Sequence, residues 1–201
     1  MIKKVGILDY GTGNLHSAAK AFEHAGADVV VTERLEELGR CEALVVPGVG
    51  AFAECANRLA EVGGFDYVRG WVQKERPLFG ICVGHQVLFS SGLEHGVPTD
   101  GIGIYTGVVS KMPATPLPHM GWNTVAAGPS SKLFAGIRDE RFYFVHSYAV
   151  QQAVRGAVYS SYGDVRFVAA VEQGAVCSTQ FHPEKSGEAG LQLLKNWLAA
   201  Y

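Results

Sequence analysis

A cysteine flanked by glycines is the residue of this chain best placed for covalent chemistry. Cys82 lies at the centre of Gly-Ile-Cys-Val-Gly (residues 80–84), which has the form of a nucleophile elbow with sulfur in place of the usual serine oxygen. Glycines permit a tight turn that would hold this side chain above a strand end, where the N-terminus of the following helix favours the thiolate. A single cysteine is more often a small buried apolar residue, the role we assign to Cys41, Cys55 and Cys177.

A thiolate nucleophile needs a base and a group that orients the base, and one short segment offers both. In Gln-Phe-His-Pro-Glu-Lys (residues 180–185), His182 and Glu184 are two positions apart, so in an extended chain their side chains project to the same side. Pro183 pushes His182 toward extended geometry, and a carboxylate beside an imidazole fixes its tautomer and supports its charged form. Taken alone, the segment also fits a loop histidine with a capping glutamate before the last helix. Together with Cys82 it predicts a catalytic triad.

Acyl chemistry also needs hydrogen-bond donors for the oxyanion of the tetrahedral intermediate. The backbone N–H of Val83 directly follows the nucleophile, which is where elbows provide one donor. The glycine-rich turn Pro-Gly-Val-Gly (residues 47–50) ends another strand and could present a second N–H from Val49 or Gly50, next to Gly48. A glycine-rich loop is weak evidence by itself, and a bare turn is the alternative.

These segments need a parallel sheet to bring them together, and the first half of the chain predicts one. Short apolar runs alternate there with segments of helical periodicity, a pattern that indicates parallel strands covered on both faces. Ligands bind at the carboxyl edge of such sheets, where the elbow and the glycine-rich turn would lie. We predict strands at residues 5–8, 28–32, 43–46 and 78–81, helices from 15, 52 and 65, and a further helix directly after Cys82 that runs through residues 87–89.

The second half of the chain is richer in strand-forming residues. Val, Tyr and Phe are frequent there, and Glu-Gln-Gly at residues 172–174 is typical of a hairpin turn. Ser186 is a candidate N-cap for a last helix with Leu191, Leu194 and Leu198 toward the core. The fold class is therefore α/β: one domain over residues 1–201, with a mixed, mostly parallel sheet flanked by helices. The strand-rich segments are residues 102–112, 141–150 and 165–180.

Composition excludes several classes of protein. The 201 residues include 17 Lys and Arg against 19 Asp and Glu, a net charge of −2 that predicts neither nucleic-acid nor membrane partners. With 48% hydrophobic residues the chain is not disordered, and no apolar run approaches the roughly 20 residues of a membrane span. The first ten residues contain too few apolar side chains for a signal peptide. Four scattered cysteines without a Cys-x-x-Cys pair indicate free thiols in the cytoplasm, and no metal or organic cofactor is indicated.

The elbow segment Gly-Ile-Cys-Val-Gly-His-Gln (residues 80–86), taken with His-Pro-Glu (182–184), resembles the class I (triad) glutamine amidotransferases. Within that family the chain is most similar to the glutaminase subunits of imidazole glycerol phosphate synthases, of histidine biosynthesis. His85 departs from the pattern, because these subunits usually have Met there. The motifs that carry the similarity span nearly the whole chain: residues 9–14 (Asp-Tyr-Gly-Thr-Gly-Asn), 47–52 (Pro-Gly-Val-Gly-Ala-Phe), 118–123 (Pro-His-Met-Gly-Trp-Asn), 144–148 (Phe-Val-His-Ser-Tyr) and 180–186 (Gln-Phe-His-Pro-Glu-Lys-Ser).

This resemblance implies hydrolysis of the glutamine side-chain amide, with Cys82 as nucleophile. It also implies that substrate contacts come from Gln86 and Glu94, the latter suited to the α-ammonium group. From the residues alone, Gln86 would be a helix-surface amide and Glu94 a solvated loop acid. Further substrate contacts implied by the resemblance are Gly48, His146, Ser147 and Tyr148.

A partner is expected because ammonia released into water is protonated and diluted, and 201 residues hold no second catalytic domain. The resemblance implies a heterodimer with a (β/α)8-barrel cyclase that makes imidazole glycerol phosphate and aminoimidazole carboxamide ribotide. It places Trp122, Lys185 and Tyr143 at the subunit interface, whereas core packing is the alternative for Trp122. The other functions considered are the glutaminase subunit of another amidotransferase, a stand-alone cysteine hydrolase, and a catalytically silent binding module.

Overall fold

Strands and helices alternate along the first half of the chain. The computed structural model describes residues 3–201. Met1 and Ile2 lie outside the described residues, and they belong to the N-terminal segment in which the sequence predicts no signal peptide. The four strands predicted there are confirmed, each within a residue or two of its expected bounds. This half comprises β1 (Lys4–Leu8), α1 (Leu15–His24), β2 (Asp28–Thr32), α2 (Leu35–Gly39), β3 (Ala43–Gly48), α3 (Phe52–Glu61), α4 (Gly64–Gln73), β4 (Leu78–Cys82) and α5 (Val83–Gln86).

The second half consists mainly of strands, as its composition predicts. A hairpin turn at Gly174 and Ala175 joins the strands at Val165–Gln173 and Val176–Thr179, and only its first residue falls within the predicted turn at residues 172–174. The elements are β5 (Phe89–Glu94), β6 (Val97–Asp100), β7 (Tyr105–Lys111), β8 (His119–Thr124), β9 (Arg141–His146), β10 (Tyr148–Val150), β11 (Ala157–Tyr162), β12 (Val165–Gln173), β13 (Val176–Thr179), a 3-10 turn at Pro183–Lys185 and α6 (Gly187–Ala200).

The main sheet has seven strands in the order β11-β12-β13-β4-β3-β1-β2. The five strands from β13 to β2 are parallel to one another, and β12 and β11 extend the sheet with antiparallel pairing beside β13. The central strands β3 and β4 are buried along their whole length, as strands covered by helices on both faces must be. The expectation of a mixed, mostly parallel sheet flanked by helices is confirmed.

Two smaller sheets accompany it, and one of them corrects the prediction of a long helix after Cys82. A four-stranded sheet has the order β10-β7-β5-β6, and β8 pairs with β9. Helix α5 ends at Gln86, not at residue 89, because Phe89 begins β5 and is paired with Tyr105 of β7. The backbone hydrogen bonds of that ladder prevail over the helical spacing of the apolar side chains.

Helix α6 packs its inner face on the main sheet through an aromatic cluster. Trp197 contacts Phe22 of α1 and Phe79 of β4 with ring centroids 5.7 and 5.2 Å apart. Leu194 is buried as predicted, but Leu191 and Leu198 are only partly buried, so the predicted inner face of α6 is rotated.

Among the helices of residues 3–201, none combines the length and the apolar character needed to cross a membrane.

Candidate active site

Cys82 ends β4 in a backbone conformation that L-residues rarely adopt. Its φ of 56° and ψ of −109° turn the chain sharply into α5, and the residue is buried. Strain of this kind persists only where the surroundings hold it, and it concentrates at functional sites. The elbow predicted from the sequence is therefore present, with the strain on the cysteine itself.

The flanking glycines are required for close approach rather than for positive φ. A Cβ on Gly84 would lie 1.8 Å from the carbonyl oxygen of Val46, and one on Gly80 would lie 2.9 Å from Gly84 O. Neither distance leaves room for a side chain. Gly84 thus lets α5 sit directly against β3, and Gly80 lets α5 lie against β4 itself, so that Cys82 and the end of β3 come together.

The parallel register of the central strands sets the site. Gly48 of β3 is the Cα partner of Cys82, and Thr179 of β13 is the partner of Ile81, on the other side of β4. The segment that follows β13 contains His182, and the backbone N–H of His182 donates to Tyr143 O at 3.0 Å. The glycine-rich turn and the histidine therefore flank the cysteine at the carboxyl edge of the sheet.

His182 and Glu184 form a buried pair. Nδ1 of His182 lies 2.7 Å from Oε1 of Glu184, with side-chain exposures of 3% and 2%, and within residues 3–201 Glu184 Oε2 has no hydrogen-bond partner. Burial opposes the charged form of His182, but hydrogen bonds to Cys82 and Glu184 and the negative charge of both raise its pKa to about 10. The site therefore favours the imidazolium form of His182.

Ser186 helps to hold His182 in place. The sequence predicts it as a side-chain N-cap of the last helix, and it stands at that position without a side-chain cap bond. Its hydroxyl instead donates to His182 O at 2.7 Å and accepts from Tyr143 N–H at 3.0 Å. Ser186 thus fixes the backbone of the histidine to β9.

Two candidate oxyanion donors lie beside Cys82. Val83 is the first residue of α5, so its N–H has no partner within the helix. In the glycine-rich turn, Gly50 has a φ of 95°. Cys55, for which the sequence predicts only a structural role, donates its thiol hydrogen to Val49 O at 3.3 Å. A Cβ on Gly48 would lie 2.7 Å from Gly84 N, so the segment runs directly against the elbow.

One cavity of about 340 Å³ opens beside the nucleophile and collects most of the predicted site. Glu184 and Gly48 lie outside its lining, Glu184 because it stands behind His182. Phe52 and Val145 line the cavity without having been predicted, since an apolar wall carries no chemical signature in a sequence. The predicted residues in the lining are Val49, Gly50, Cys82, Val83, Gln86, Glu94, His146, Ser147, Tyr148, His182 and Lys185.

Gln86 is a buried amide and not a helix-surface one. Its Nε2 donates to Tyr148 O at 3.0 Å and to Oε1 of Gln180 at 2.9 Å, while Gln180 Nε2 lies 4.0 Å from Cys82 Sγ. Gln180 is a site residue that the sequence reasoning missed. Its signal is the spacing of two from His182, which places both side chains on one side of an extended segment.

Glu94, at the end of β5, is tied to helix α3. Its Oε2 accepts the N–H of Phe52, the first residue of α3, at 2.8 Å. A carboxylate is favoured at a helix N-terminus. Glu94 is therefore an ordered acid at the cavity wall, rather than the solvated loop acid of the alternative interpretation.

His85, the residue that departs from the resemblance described above, faces away from the cavity. It is fully buried, its Nδ1 lies 2.7 Å from Ser178 Oγ, and its Nε2 has no partner within the described part of the chain. Burial, and secondarily His146, lower its pKa to about 3, so it is neutral. His85 is a core histidine, and the departure leaves the triad geometry unchanged.

Trp122 lies on the surface. It is 51% exposed and its neighbour along the outer face of β8, Met120, is 62% exposed, so core packing does not describe Trp122. Trp122 packs edge-to-face on Tyr143 of the paired strand β9, with ring centroids 6.1 Å apart. Met120 was not predicted, although strand alternation places it beside Trp122. Lys185 is exposed at the cavity mouth.

Comparison with known proteins agrees with this geometry. The family model "Glutamine amidotransferase class-I" matches residues 6–200. Two solved structures share the fold: a glutamine amidotransferase at 22% identity and TM-score 0.75, covering 96% of this chain and 98% of that one, and PurLQS from Thermotoga maritima at 16% identity and TM-score 0.77, covering 100% and 99%.

Other known proteins are much more similar to this chain in sequence than these two solved structures are. The imidazole glycerol phosphate synthase subunit HisH of Corynebacterium efficiens is 49% identical over 98% of this chain and 99% of its own length. The HisH subunit of Cutibacterium acnes is 52% identical over 97% of this chain and 96% of its own length. The chain therefore belongs to the class-I glutamine amidotransferase family, in the branch that contains the HisH subunits of imidazole glycerol phosphate synthase.

Proposed function

We propose that this chain is the glutaminase subunit of an imidazole glycerol phosphate synthase, which hydrolyses L-glutamine and passes the ammonia to a separate cyclase. One observation carries the proposal: Cys82 stands in a strained elbow beside the buried His182–Glu184 pair, at the wall of one cavity. Identity of about half to HisH subunits over nearly the whole chain supports this choice among glutaminases. Residues 1–201 act as one glutaminase domain. Its four free thiols fit the reducing cytoplasm, where we place it.

In the first half of the reaction, the Cys82 thiolate attacks the side-chain amide carbon of glutamine and forms a carbon–sulfur bond. The developing oxyanion accepts hydrogen bonds from Val83 N–H and from an N–H of Val49 or Gly50. As the carbon–nitrogen bond breaks, the His182 imidazolium gives its proton to the departing nitrogen, which leaves as ammonia. A thioester on Cys82 remains.

In the second half, neutral His182 removes a proton from a water molecule that attacks the thioester. The carbon–sulfur bond breaks, glutamate leaves, and the thiolate and imidazolium are restored. Glu184 stabilises the imidazolium in both halves. Substrate is held by Gln86 and Gly48, by Glu94 at the α-ammonium group, and at the α-carboxylate by the backbone of residues 146–148.

The partner in this proposal is a (β/α)8-barrel cyclase that docks over the cavity mouth as a heterodimer. It combines ammonia with a phosphorylated ribulosyl-carboxamide precursor to give imidazole glycerol phosphate and aminoimidazole carboxamide ribotide. Docking keeps ammonia from bulk water, where it would be protonated and diluted.

Glutamate release by the purified chain, with and without the cyclase, tests the function. We expect release from glutamine in the complex, together with the two cyclase products. An equal rate without any partner would indicate a stand-alone cysteine hydrolase, and activation only by another synthase would indicate a different amidotransferase. No glutamate release in any combination would contradict the proposal.

Trp122 is predicted to anchor the cyclase. Because its side chain is already 51% exposed, Trp122→Ala should leave the melting temperature of the free subunit nearly unchanged. Buried aromatic anchors carry about 2 kcal/mol or more, so the dissociation constant of the complex should rise by roughly 30-fold. Titration calorimetry with the cyclase and thermal unfolding measure the two quantities.

Val31, an exposed apolar residue of the edge strand β2, provides the matched control. Val31→Ala should change neither the affinity nor the melting temperature. A large drop in melting temperature for Trp122→Ala, with unchanged affinity for the cyclase, would instead assign Trp122 to core packing.

We predict that the lone subunit is nearly silent and that the ligand-loaded cyclase activates it. The peptide units around Val49 can present either an N–H or a carbonyl to the oxyanion, because glycines flank them. Loss of one oxyanion donor costs roughly 10²–10³ in rate, which is enough for a gate. Glutaminase rates of the subunit, the complex and the complex with cyclase ligand measure the effect. Equal rates in all three states would exclude partner gating.

Gly50→Ala tests where the gate lies. Gly50 has a φ of 95°, which alanine disfavours, so the variant restricts the segment and should shrink the ratio of activated to basal rate. Gly26, with a φ of 99° in the turn after α1, allows a control with the same backbone strain far from the cavity. Gly26→Ala should keep the ratio. An unchanged ratio in Gly50→Ala would place the gate elsewhere.

A further inference from the structure

Two histidines on paired strands form a buried hydrogen-bonded pair behind the cavity wall. His119 of β8 is the Cα partner of His146 of β9, and both side chains are buried. Nδ1 of His119 lies 3.0 Å from Nε2 of His146. His146 lines the cavity and His119 does not, so His119 can affect the cavity only through its neighbour.

The partners of this pair determine which nitrogen carries each proton. Nδ1 of His146 lies 3.1 Å from Tyr148 O, a carbonyl that only accepts, so Nδ1 must carry a hydrogen. In a neutral ring Nε2 is then an acceptor, and His119 must donate to it from Nδ1–H. The Nε2 of His119 is left to accept from Asn123 Nδ2, 3.4 Å away.

Both rings are held neutral. Burial, above all other causes, lowers the pKa of His146 to about 3, and burial lowers that of His119 to about 4. A further proton on His146 Nε2 would also face the Nδ1–H of His119. The hydrogen bonds therefore have one donor direction, from Asn123 through His119 and His146 to Tyr148 O. These residues are called the hydrogen-bond chain below.

We propose that His119 is a positioning residue for glutamine binding: it holds His146 in the Nδ1–H tautomer, and His146 thereby anchors the backbone at Tyr148. This inference rests on the proposed function, which places the α-carboxylate of glutamine against residues 146–148. Tyr148 O accepts a second hydrogen bond from Gln86 Nε2 at 3.0 Å. Without His119, His146 is free to take the other tautomer, and one of these two donors is lost.

Packing and hydrogen bonding by His119 can be separated, because its ring sits in an aromatic stack. The ring lies nearly parallel to those of Tyr162 and Phe144, with centroids 4.3 and 5.0 Å apart and an interplanar angle of 23° in each case. Phenylalanine fills such a slot without either nitrogen. His119→Phe therefore keeps the stack and removes the donor to His146.

Steady-state glutaminase kinetics of the cyclase complex test the positioning role. One hydrogen bond contributes about 0.5–1.5 kcal/mol, so KM for glutamine should rise about 2- to 13-fold in His119→Phe, with kcat within about twofold and the melting temperature lowered by no more than a few degrees. Tyr162→Phe alters the same aromatic stack but leaves the hydrogen-bond chain intact, so its KM and kcat should match those of the wild type. An unchanged KM, or a fall in kcat alone, would overturn the proposal.

Nitrogen-15 NMR of the imidazole rings provides a readout that does not depend on activity. At neutral pH the spectrum should show His119 and His146 as neutral Nδ1–H tautomers, and His119→Phe should change the signals of His146. An Nε2–H tautomer at either ring would contradict the proposed hydrogen-bond chain. If the wild-type complex released no glutamate while the tautomers were as expected, the proposed function would fail and the hydrogen-bond chain would stand.

Discussion

Cys82→Ala is expected to release no glutamate from glutamine, either alone or in complex with the cyclase. The variant lacks the only sulfur at the cavity wall among the described residues, so no thioester forms. The backbone keeps its φ of 56° with a side chain of similar size, so the fold should be retained, which thermal unfolding checks. Measured glutamate release equal to that of the wild type would contradict the mechanism.

Two controls separate loss of chemistry from loss of structure in Cys82→Ala. The reconstituted complex should still make cyclase products from added ammonium salt, because the proposed function assigns that chemistry to the partner. Cys177 is a buried thiol of β13 outside the cavity lining, so Cys177→Ala should retain glutaminase activity. Failure of the ammonium-dependent reaction in Cys82→Ala would point to a damaged complex instead.

The residues of the candidate triad could be predicted from the sequence because their relations are local. His182 and Glu184 are two positions apart, and the structure joins them at 2.7 Å, although a 3-10 turn at Pro183–Lys185 and not the extended chain of the prediction brings them together. The elbow around Cys82 lies within five consecutive residues. The reason given for its glycines was incomplete, however, since positive φ falls on Cys82 while Gly80 and Gly84 allow close approach.

Contacts that depend on long-range pairing could not be predicted in this way. Gln86 and Gln180 meet at 2.9 Å although 94 positions separate them, and His119 meets His146 through the register of β8 and β9. The end of α5 was also mispredicted, because β5 is formed by pairing with strands that come later in the chain. No spacing rule within one segment contains this information.

His182→Ala is expected to lower the glutaminase rate by at least about 10²–10⁴, the usual contribution of a general acid–base group. The variant also removes the cation that faces the Cys82 thiolate, so the nucleophile is weakened as well. Glutamate release by the cyclase complex measures the loss. His24, an exposed histidine of α1, serves as the matched control, and His24→Ala should keep the wild-type rate.

Glu184→Gln separates orientation from proton transfer. Glutamine keeps the shape of the side chain and a hydrogen-bond acceptor at 2.7 Å from His182, so the loss of rate should be smaller than in His182→Ala. Burial lowers the pKa of His182, and the carboxylate is one of the groups that raise it; removing that charge must therefore lower the pKa. Because the reaction uses the imidazolium as its acid, the alkaline limb of kcat/KM against pH should move to lower pH in Glu184→Gln. A rate loss as large as that of His182→Ala would show that Glu184 does more than support the imidazolium. An alkaline limb that does not move would show that Glu184 does not stabilise the imidazolium.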